Sequence, residues 1–455
     1  MGFKDTFITL FRRFLPMPFS IAVVLSFLTF FLALLITTPD NGNTSYAVSV
    51  LQYIPEVATY WETGFWELLA FTMQMMLVLV LGHVLALTPA VDKAIAFFLK
   101  YCKTTSLAAA LVAFLTIIVT LFNWGLGLIF GAVFAKKVGE HARQNNIPLY
   151  YPVVGAAAYS GFMVWHGGLS GSAPLIVSDA NHFLVDQMGV MSMSETIFSG
   201  MNLFSSALLL LCIPAFYFLL GKRSIPKEFK VPESKTASDT KIHAAYAEKI
   251  DFSYVFGRFF GLLFILFAFY KAFILPEQLS LDFLNFNFIN FTLFGLCIFF
   301  HGNFFNFVKA AENSIKSSAG VMIQFPLYAG IMGIMKYSGL MIIFSEFFVS
   351  ISNEYTFPIF TLFSAGIVNV FVPSGGGQWA VQGPIIIEAA GSLGIPLPKA
   401  IMALVYGDQL TNMIQPIWAL PLLGITGLKV QEILPYTLMT MLIGTVIFIL
   451  SLLIF

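Results

Sequence analysis

The sequence predicts an all-α polytopic membrane protein made of two inverted repeats, each with a re-entrant helical hairpin and a broken transmembrane helix. Three observations support this fold class. Of the 455 residues, 58% are hydrophobic and only 10% are charged. Apolar runs of roughly 20 residues, enough to cross about 30 Å of hydrocarbon, recur along the chain. Polar, glycine-rich interruptions occur at corresponding positions of the two halves. The formal net charge of zero argues against a nucleic-acid partner.

Several runs are long and apolar enough to be predicted as continuous membrane helices. They are 19–38, 65–88, 200–221, 253–275, 284–303, 314–336 and 433–455. The first run is longer than the core of a signal peptide, so it is predicted to be an uncleaved helix. Short amphipathic arms are predicted at 90–101 and 340–350, and the polar stretch 222–252 is predicted to be a cytoplasmic linker between the halves.

Two long apolar stretches are interrupted midway by sequence that does not support a helix. The stretch 369-NVFVPSGGGQWAVQGP-384 contains three consecutive glycines and two prolines, and 123-NWGLG is its counterpart in the first half. Each interruption predicts a hairpin, and each hairpin precedes a span with a polar break of its own. The hairpins are 105–139 and 357–392, and the broken spans are 150–178 and 399–425. Irregular backbone is costly in lipid, whereas paired breaks in repeats mark the substrate site of secondary transporters.

The distribution of basic residues favours this topology. If both hairpins enter and leave on one face, all but three of the 23 Lys and Arg residues fall on the cytoplasmic side, as the positive-inside rule requires. The exceptions are Lys271, Lys336 and Lys399. The N-terminus is then predicted to be cytoplasmic and the C-terminus periplasmic.

The breaks carry groups suited to a small organic anion. Backbone N–H groups at the glycines 375–377 and the positive end of a half-helix suit a carboxylate. No Lys or Arg lies at the middle of the four broken elements, which favours a singly charged anion over a dicarboxylate. The tryptophans among the candidates either line a pocket for the substrate or simply pack. The candidate substrate ligands are Asn123, Trp124, Gly125, Ser172, Ser374, Gly375, Gly376, Gly377, Gln378, Trp379 and Asn412.

Two ionisable residues stand out within the broken spans. Asp408 is the one acidic side chain near the centre of an apolar span, and it is predicted to bind Na⁺, to carry a proton or to support broken backbone. His166 either carries a proton or caps loose backbone. Gln74 and Gln324 lie in otherwise apolar helices and either support the site from outside or join helices.

The sequence motifs do not indicate an enzyme. The sequence contains no GxSxG elbow, no HExxH motif and no P-loop. The three cysteines are scattered, so neither a disulfide framework nor a zinc site is indicated. A carrier is therefore predicted, with an anion channel and a membrane acyl-transfer enzyme as the alternatives.

Six segments resemble the short-chain fatty acid transporter family, and the resemblance covers most of the chain. They are 64-GFWELLAFTMQM, 123-NWGLGL, 168-GLSGSAPL, 323-IQFPLYAGIM, 371-FVPSGGGQWAVQGP and 412-NMIQPIWALP. The family is similar to the wider ion transporter superfamily. The resemblance implies a symporter of short-chain monocarboxylates such as acetoacetate or butyrate, coupled to Na⁺ or H⁺ and without other cofactors. It also implies a homodimer in the bacterial inner membrane that works by an elevator mechanism.

The resemblance further implies a division into domains and a set of ion ligands. The scaffold would comprise 1–104 and 253–356, and the transport domain 105–221 and 357–455. Asn123 to Gly127 with His166 to Ser172 would form one ion site, and Ser374 to Gln378 with Asp408 to Gln415 the other. The implied ion ligands are Asn123, Gly127, His166, Ser170, Ser172, Ser374, Gly377, Asp408, Gln409, Asn412 and Gln415.

Overall fold

The computed structural model describes residues 18–39, 45–67, 69–178, 182, 184–232, 249–276, 283, 286–373 and 375–455, and every regular element among them is a helix. Ser374, a predicted ligand, lies outside the described residues. Four of the described helices are long and apolar enough to cross a membrane, which agrees with a polytopic protein. They are Thr105–Phe122, Gly200–Lys222, Tyr254–Ile274 and Val430–Ile454.

The chain begins with four helices. They are α1 (Pro18–Ile36), α2 (Tyr46–Glu67), α3 (Leu69–Ala86) and α4 (Pro89–Leu99). The prediction missed α2 and started the next helix too early, at 65. Only a narrow face of α2 is buried, including Tyr53, Val57 and Gly64, while its acidic residues Glu56 and Glu62 are exposed. A helix with so narrow an apolar face does not appear as a continuous hydrophobic run.

The first hairpin and the first broken span follow. The hairpin consists of α5 (Thr105–Phe122) and α6 (Trp124–Gln144), and the broken span consists of α7 (Tyr151–Tyr159), a 3-10 turn (Ser160–Met163) and α8 (Ser172–Ser178). The short α9 (Val185–Met188) and the long α10 (Gly200–Lys222) complete this half. The predicted interruptions at 123 and within 150–178 are confirmed.

The second half repeats much of this order. Its outer helices are α11 (Tyr254–Phe269, continued by a π turn at Tyr270–Ile274), α12 (Phe286–His301), α13 (Phe304–Tyr337) and α14 (Leu340–Ser350). The second hairpin comprises α15 (Phe357–Phe371) and α16 (Gly375–Leu393). The second broken span comprises α17 (Leu397–Thr411), a 3-10 turn (Asn412–Ile414) and α18 (Pro416–Thr426), and α19 (Val430–Ile454) ends the chain.

One predicted helix is longer than expected. The run at 314–336 was predicted as a membrane span, but α13 already begins at Phe304. Asn303 caps its start, because its side-chain oxygen accepts a hydrogen bond from the backbone N–H of Asn306 at 2.8 Å. The cap, which hydropathy does not detect, extends the helix through polar residues.

The buried apolar residues form two clusters. The larger cluster includes both hairpins, both broken spans and parts of the outer helices, such as Val57 of α2 and Ile331 of α13. The smaller one, which includes Leu81, Cys297 and Phe307, lies among α3, α12 and α13. The broken elements therefore share one core, and these three outer helices have a second core between them.

Candidate functional site

The two broken spans meet at their breaks, and each satisfies backbone groups of the other. The hydroxyl of Tyr159 in α7 donates to the carbonyl oxygen of Asn412 at 2.7 Å and lies 3.3 Å from that of Gln415. In return, Oε1 of Gln409 in α17 accepts hydrogen bonds from the backbone N–H groups of His166 (3.0 Å) and Gly167 (3.1 Å). Backbone freed by a break is thus paired within the protein, as a hydrocarbon surrounding requires.

We expect Tyr159→Phe to lower the free energy of unfolding by about 1–2 kcal/mol, because it removes a hydrogen bond to a buried carbonyl. We also expect the variant to transport substrate more slowly, because this bond joins the two breaks. Denaturant unfolding in detergent measures the first effect and liposome uptake the second. Tyr217→Phe is the matched control, since the buried Tyr217 bonds to Thr440 at 2.9 Å between α10 and α19. Loss of the Tyr217–Thr440 bond should lower the free energy of unfolding by a similar amount without slowing uptake. Equal effects of both variants on uptake would contradict a special role for Tyr159.

A histidine and an aspartate lie in direct contact where the breaks cross. Nδ1 of His166 contacts Oδ2 of Asp408, and both side chains are almost completely buried, with exposed fractions of 0% and 1%. The backbone N–H of Ala173 donates to Nε2 of His166 at 3.0 Å. Because Nε2 accepts this bond, the imidazole hydrogen is assigned to Nδ1, where it faces the carboxylate. Within the described part of the chain, Oδ1 and Oδ2 of Asp408 and Nδ1 of His166 have no hydrogen-bond partner.

The tip of the second hairpin covers this pair. A Cβ atom added to Gly375 would lie 2.6 Å from Cε1 of His166 and 3.0 Å from Oδ2 of Asp408. One added to Gly376 would lie 3.8 Å from Cβ of Ser172. The N-terminal end of α16, which carries a partial positive charge, is therefore directly against the His166–Asp408 pair.

Asn369, in the other arm of this hairpin, connects it to the second break. Its Nδ2 donates to the backbone oxygen of Asp408 (2.7 Å) and to Oδ1 of Asn412 (2.8 Å), and its own carbonyl accepts from Nε2 of Gln415. Two buried acceptors, its own Oδ1 and Oε1 of Gln415, have no hydrogen-bond partner among the described residues. The predicted ligands missed Asn369 and Tyr159, although a polar Asn inside an apolar arm was a usable signal.

The tip of the first hairpin packs against the first break. Asn123 caps α6, since its Oδ1 accepts from the N–H of Leu126 at 2.9 Å. Oγ of Ser170 accepts from the N–H of Trp124 at 3.0 Å. Gly127 lies close to Thr120 of the facing arm, where a side chain would collide, and Gly125 is buried in the first turn of α6. These predicted ligands are brought together with the break, and their observed bonds hold the backbone in place.

Other predicted site residues make different contacts. Nε2 of Gln378 donates to the carbonyl of Ala365 (2.9 Å) and to Oε1 of Gln382 (2.7 Å), which joins the two arms of the second hairpin. Trp379 is fully buried beside Gly383, and Gly377 lies in the first turn of α16.

The two predicted supporting glutamines lie in outer helices. Gln74 donates to Oδ1 of Asn287 in α12 at 2.8 Å, beside a cavity of about 530 Å³. Gln324 is buried in α13, and its Oε1 has no hydrogen-bond partner among the residues described. Gln74 thus joins two helices outside the broken spans.

Five aromatic residues, called the aromatic cluster below, lie beside the crossing. They are Trp124, Phe162, Trp165, Phe325 and Trp418. The ring of Trp165 stacks on that of His166, with 4.5 Å between the ring centroids and 16° between the planes. The sequence indicated Trp124, but it did not indicate Trp165 or Trp418 because aromatic residues are abundant in this chain.

Comparisons with known proteins identify relatives over the full length. The sequence model of a family described as "Short chain fatty acid transporter" matches residues 3–455. Two curated relatives, each named "Putative short-chain fatty acid transporter", are 35% identical over 466 aligned residues. The one from Haemophilus influenzae aligns over 99% of this chain and 98% of its own length, and the one from Escherichia coli over 100% of both.

Two solved structures are similar at low sequence identity. The Alcanivorax borkumensis YdaH transporter has a TM-score of 0.46 at 16% identity and covers 96% of this chain and 98% of its own. Neisseria gonorrhoeae MtrF, described with a class of antimetabolite efflux pumps, has a TM-score of 0.40 at 14% identity and covers 99% and 96%.

Proposed function

The chain belongs to the short chain fatty acid transporter family, and from that premise we propose that it is a secondary active symporter of short-chain monocarboxylates, such as acetoacetate or butyrate, coupled to protons. The family and both curated relatives are transporters, which confirms that this chain is a multi-pass transport protein and not an enzyme. The proposal concerns the substrate, the coupling ion and the mechanism.

The buried His166–Asp408 pair is the observation that carries the proton coupling. Because Nε2 of His166 accepts a backbone hydrogen bond, the imidazole is neutral, and an ionised Asp408 beside it gives the pair a net charge of minus one. A buried net charge is costly in a medium of low polarity. A proton on Oδ1 of Asp408, which lacks a hydrogen-bond partner among the described residues, would neutralise the pair.

The same geometry supports an order of binding. The end of α16 at Gly375 lies against Asp408, so an ionised Asp408 and a substrate carboxylate would compete for one region of positive potential. Protonation of Asp408 leaves the N–H groups at the start of α16 for the substrate anion. One anion and one proton then move together, without net charge.

The proposed mechanism follows the expected domains. Residues 105–221 and 357–455 would move as a transport domain against a dimeric scaffold made of 1–104 and 253–356, in the inner membrane of a bacterium. The two halves would be inverted repeats. The smaller core among α3, α12 and α13 lies wholly within the expected scaffold and supports this division. The larger core joins both hairpins and both broken spans, and it also includes Val57 of α2 and Ile331 of α13, where the scaffold would contact the transport domain.

Sodium coupling is the second candidate, because the amide oxygens of Asn369 and Gln415 have no hydrogen-bond partner among the described residues. Oδ1 of Asn369 and Oε1 of Gln415 are uncharged hard ligands of the kind that bind Na⁺. In contrast, Oε1 of Gln409, Oδ1 of Asn412 and Oγ of Ser170 already accept hydrogen bonds from the protein. These three oxygens of the predicted ion sites are engaged by the protein, which favours the proton.

The deciding experiment measures uptake of labelled acetoacetate by proteoliposomes under separate gradients. We expect accumulation when the outside is more acidic than the inside, and none when an inward Na⁺ gradient is imposed at equal pH. Protein-free liposomes correct for undissociated acid that crosses the lipid unaided. Accumulation under the Na⁺ gradient alone would replace the proton by Na⁺. Flux that only equilibrates under both gradients would indicate a channel and contradict the symporter.

A further inference from the structure

We infer that the aromatic cluster binds the hydrocarbon chain of the transported acid, and that Trp165 and Trp418 bind its oxygen atoms through their indole N–H groups. This inference rests on the proposed function, because it assigns a subsite to the same class of substrate. It adds Phe162, Trp165, Phe325 and Trp418, which the hairpin tips alone do not include.

Trp418 is the centre of the cluster. Its ring centroid lies 5.4 Å from that of Trp124, 5.7 Å from that of Phe162 and 5.7 Å from that of Phe325. None of these rings is more than 6% exposed. They come from the first hairpin tip, the first break, the helix after the second break and α13. The cluster is thus an apolar region at the place where the broken spans meet an outer helix.

The cluster also contains buried N–H donors. Nε1 of Trp165 and Nε1 of Trp418 are buried and have no hydrogen-bond partner within the described ranges. Buried indole N–H groups usually find a partner, because leaving a polar group unpaired away from water costs free energy. A keto oxygen, or a carboxylate oxygen that the start of α16 leaves free, can accept a hydrogen bond from an indole N–H, whereas a hydrocarbon cannot.

Two contacts relate the cluster to transport. The stacking of Trp165 on His166 places the cluster next to the proposed proton site. Phe325 belongs to α13, which lies in the expected scaffold, so the wall on that side of the cluster comes from outside the expected transport domain.

The test is equilibrium binding of labelled butyrate to the purified full-length protein at fixed pH, without any gradient. Trp418→Phe and Trp165→Phe keep an aromatic ring and remove the N–H donor. Each should weaken butyrate binding by about tenfold, as expected for a lost hydrogen bond to a charged acceptor. Trp61→Phe is the matched control: its Nε1 is also buried without a partner among the described residues, but the side chain packs beside Gly330 and Phe65. The affinity of Trp61→Phe for butyrate should equal that of the wild type.

A second variant tests the hydrocarbon part of the inference. Trp418→Leu shortens the side chain at the centre of the cluster, so hexanoate should gain affinity relative to butyrate. Gel filtration and thermal unfolding identify variants that fail to fold, and the ratio of the two affinities is read within one folded preparation. Wild-type affinity for butyrate in both Trp→Phe variants, or an unchanged hexanoate-to-butyrate ratio in Trp418→Leu, would overturn the subsite.

Failure of the inference is distinguishable from failure of the proposed function. If the wild-type protein does not bind butyrate or acetoacetate, the proposed substrate class is wrong and the subsite is wrong with it. If the wild type binds butyrate but a proton gradient does not drive uptake, only the coupling is wrong. If binding and uptake are both normal while the tryptophan variants behave as wild type, the subsite alone is wrong.

Discussion

Asp408→Asn should abolish proton-driven accumulation while leaving exchange of substrate across the membrane. An amide keeps the shape of the carboxyl group but cannot take up a proton, so the driving gradient loses its coupling to the substrate. With an inward gradient of about one pH unit, one proton per anion supports about tenfold accumulation. The variant should fall to the level of simple equilibration, measured as labelled acetoacetate retained in proteoliposomes. Counterflow of labelled against unlabelled substrate should persist.

Glu388→Gln is the matched control for this prediction. Glu388 lies in the second hairpin but is exposed, so its neutralisation should leave accumulation at the wild-type level. Normal proton-driven accumulation in Asp408→Asn would return Asp408 to a structural role beside the broken backbone. Loss in both variants would indicate a general effect of removing acidic charge.

Gly375→Ala should reduce the uptake rate strongly, although alanine favours helix formation. The added Cβ would lie 2.6 Å from Cε1 of His166, closer than such atoms approach, so the hairpin tip and the His166–Asp408 pair must separate. Overpacking costs about 1–3 kcal/mol, which corresponds to about a 5- to 150-fold loss in the population of the closed arrangement. The measurement is the initial rate of acetoacetate uptake, together with thermal unfolding in detergent.

Gly391→Ala is the control on the same helix. A Cβ at Gly391 would meet no atom within 4 Å, so this variant gains helix propensity of up to about 1 kcal/mol without a collision. It should unfold at a temperature equal to or above that of the wild type and transport normally. Gly376→Ala, whose Cβ would make ordinary contacts at 3.7 and 3.8 Å, should fall between the two. Equal rates for Gly375→Ala and Gly391→Ala would contradict the tight approach of the tip.

The sequence predicted the elements of this fold better than the pairing of its side chains. Apolar length predicted three of the described helices that are long enough to cross a membrane, Gly200–Lys222, Tyr254–Ile274 and Val430–Ile454. The fourth, Thr105–Phe122, was predicted as a hairpin arm, and glycine and proline predicted the interruptions in the hairpins. The prediction missed the helix Tyr46–Glu67 because its polar residues interrupt the hydropathy signal. Only a narrow face of this helix, which includes the fully buried Val57, packs in the core. Local patterns thus identify long apolar helices, but not a helix of mixed polarity whose order comes from tertiary contacts.

The site shows the same division between local and distant information. His166 and Asp408 were each recognisable as ionisable residues within apolar segments. That they touch depends on how the two halves pack, which no local pattern encodes. Asn123 illustrates the opposite case: its position at a hairpin tip predicted a ligand, and its side chain caps α6 because Asn is also a favoured residue at helix starts.

The crossing of the breaks has a consequence for biosynthesis. The acceptor of the His166 and Gly167 amides, Gln409, lies 243 and 242 residues further along the chain. At about 5–20 residues per second, a ribosome needs about 10–50 seconds to synthesise that length. Throughout this interval the amides of the nascent first half need another partner, such as water, the insertion machinery or a chaperone. A chain terminated before Gln409 would lack the native acceptor for both amides.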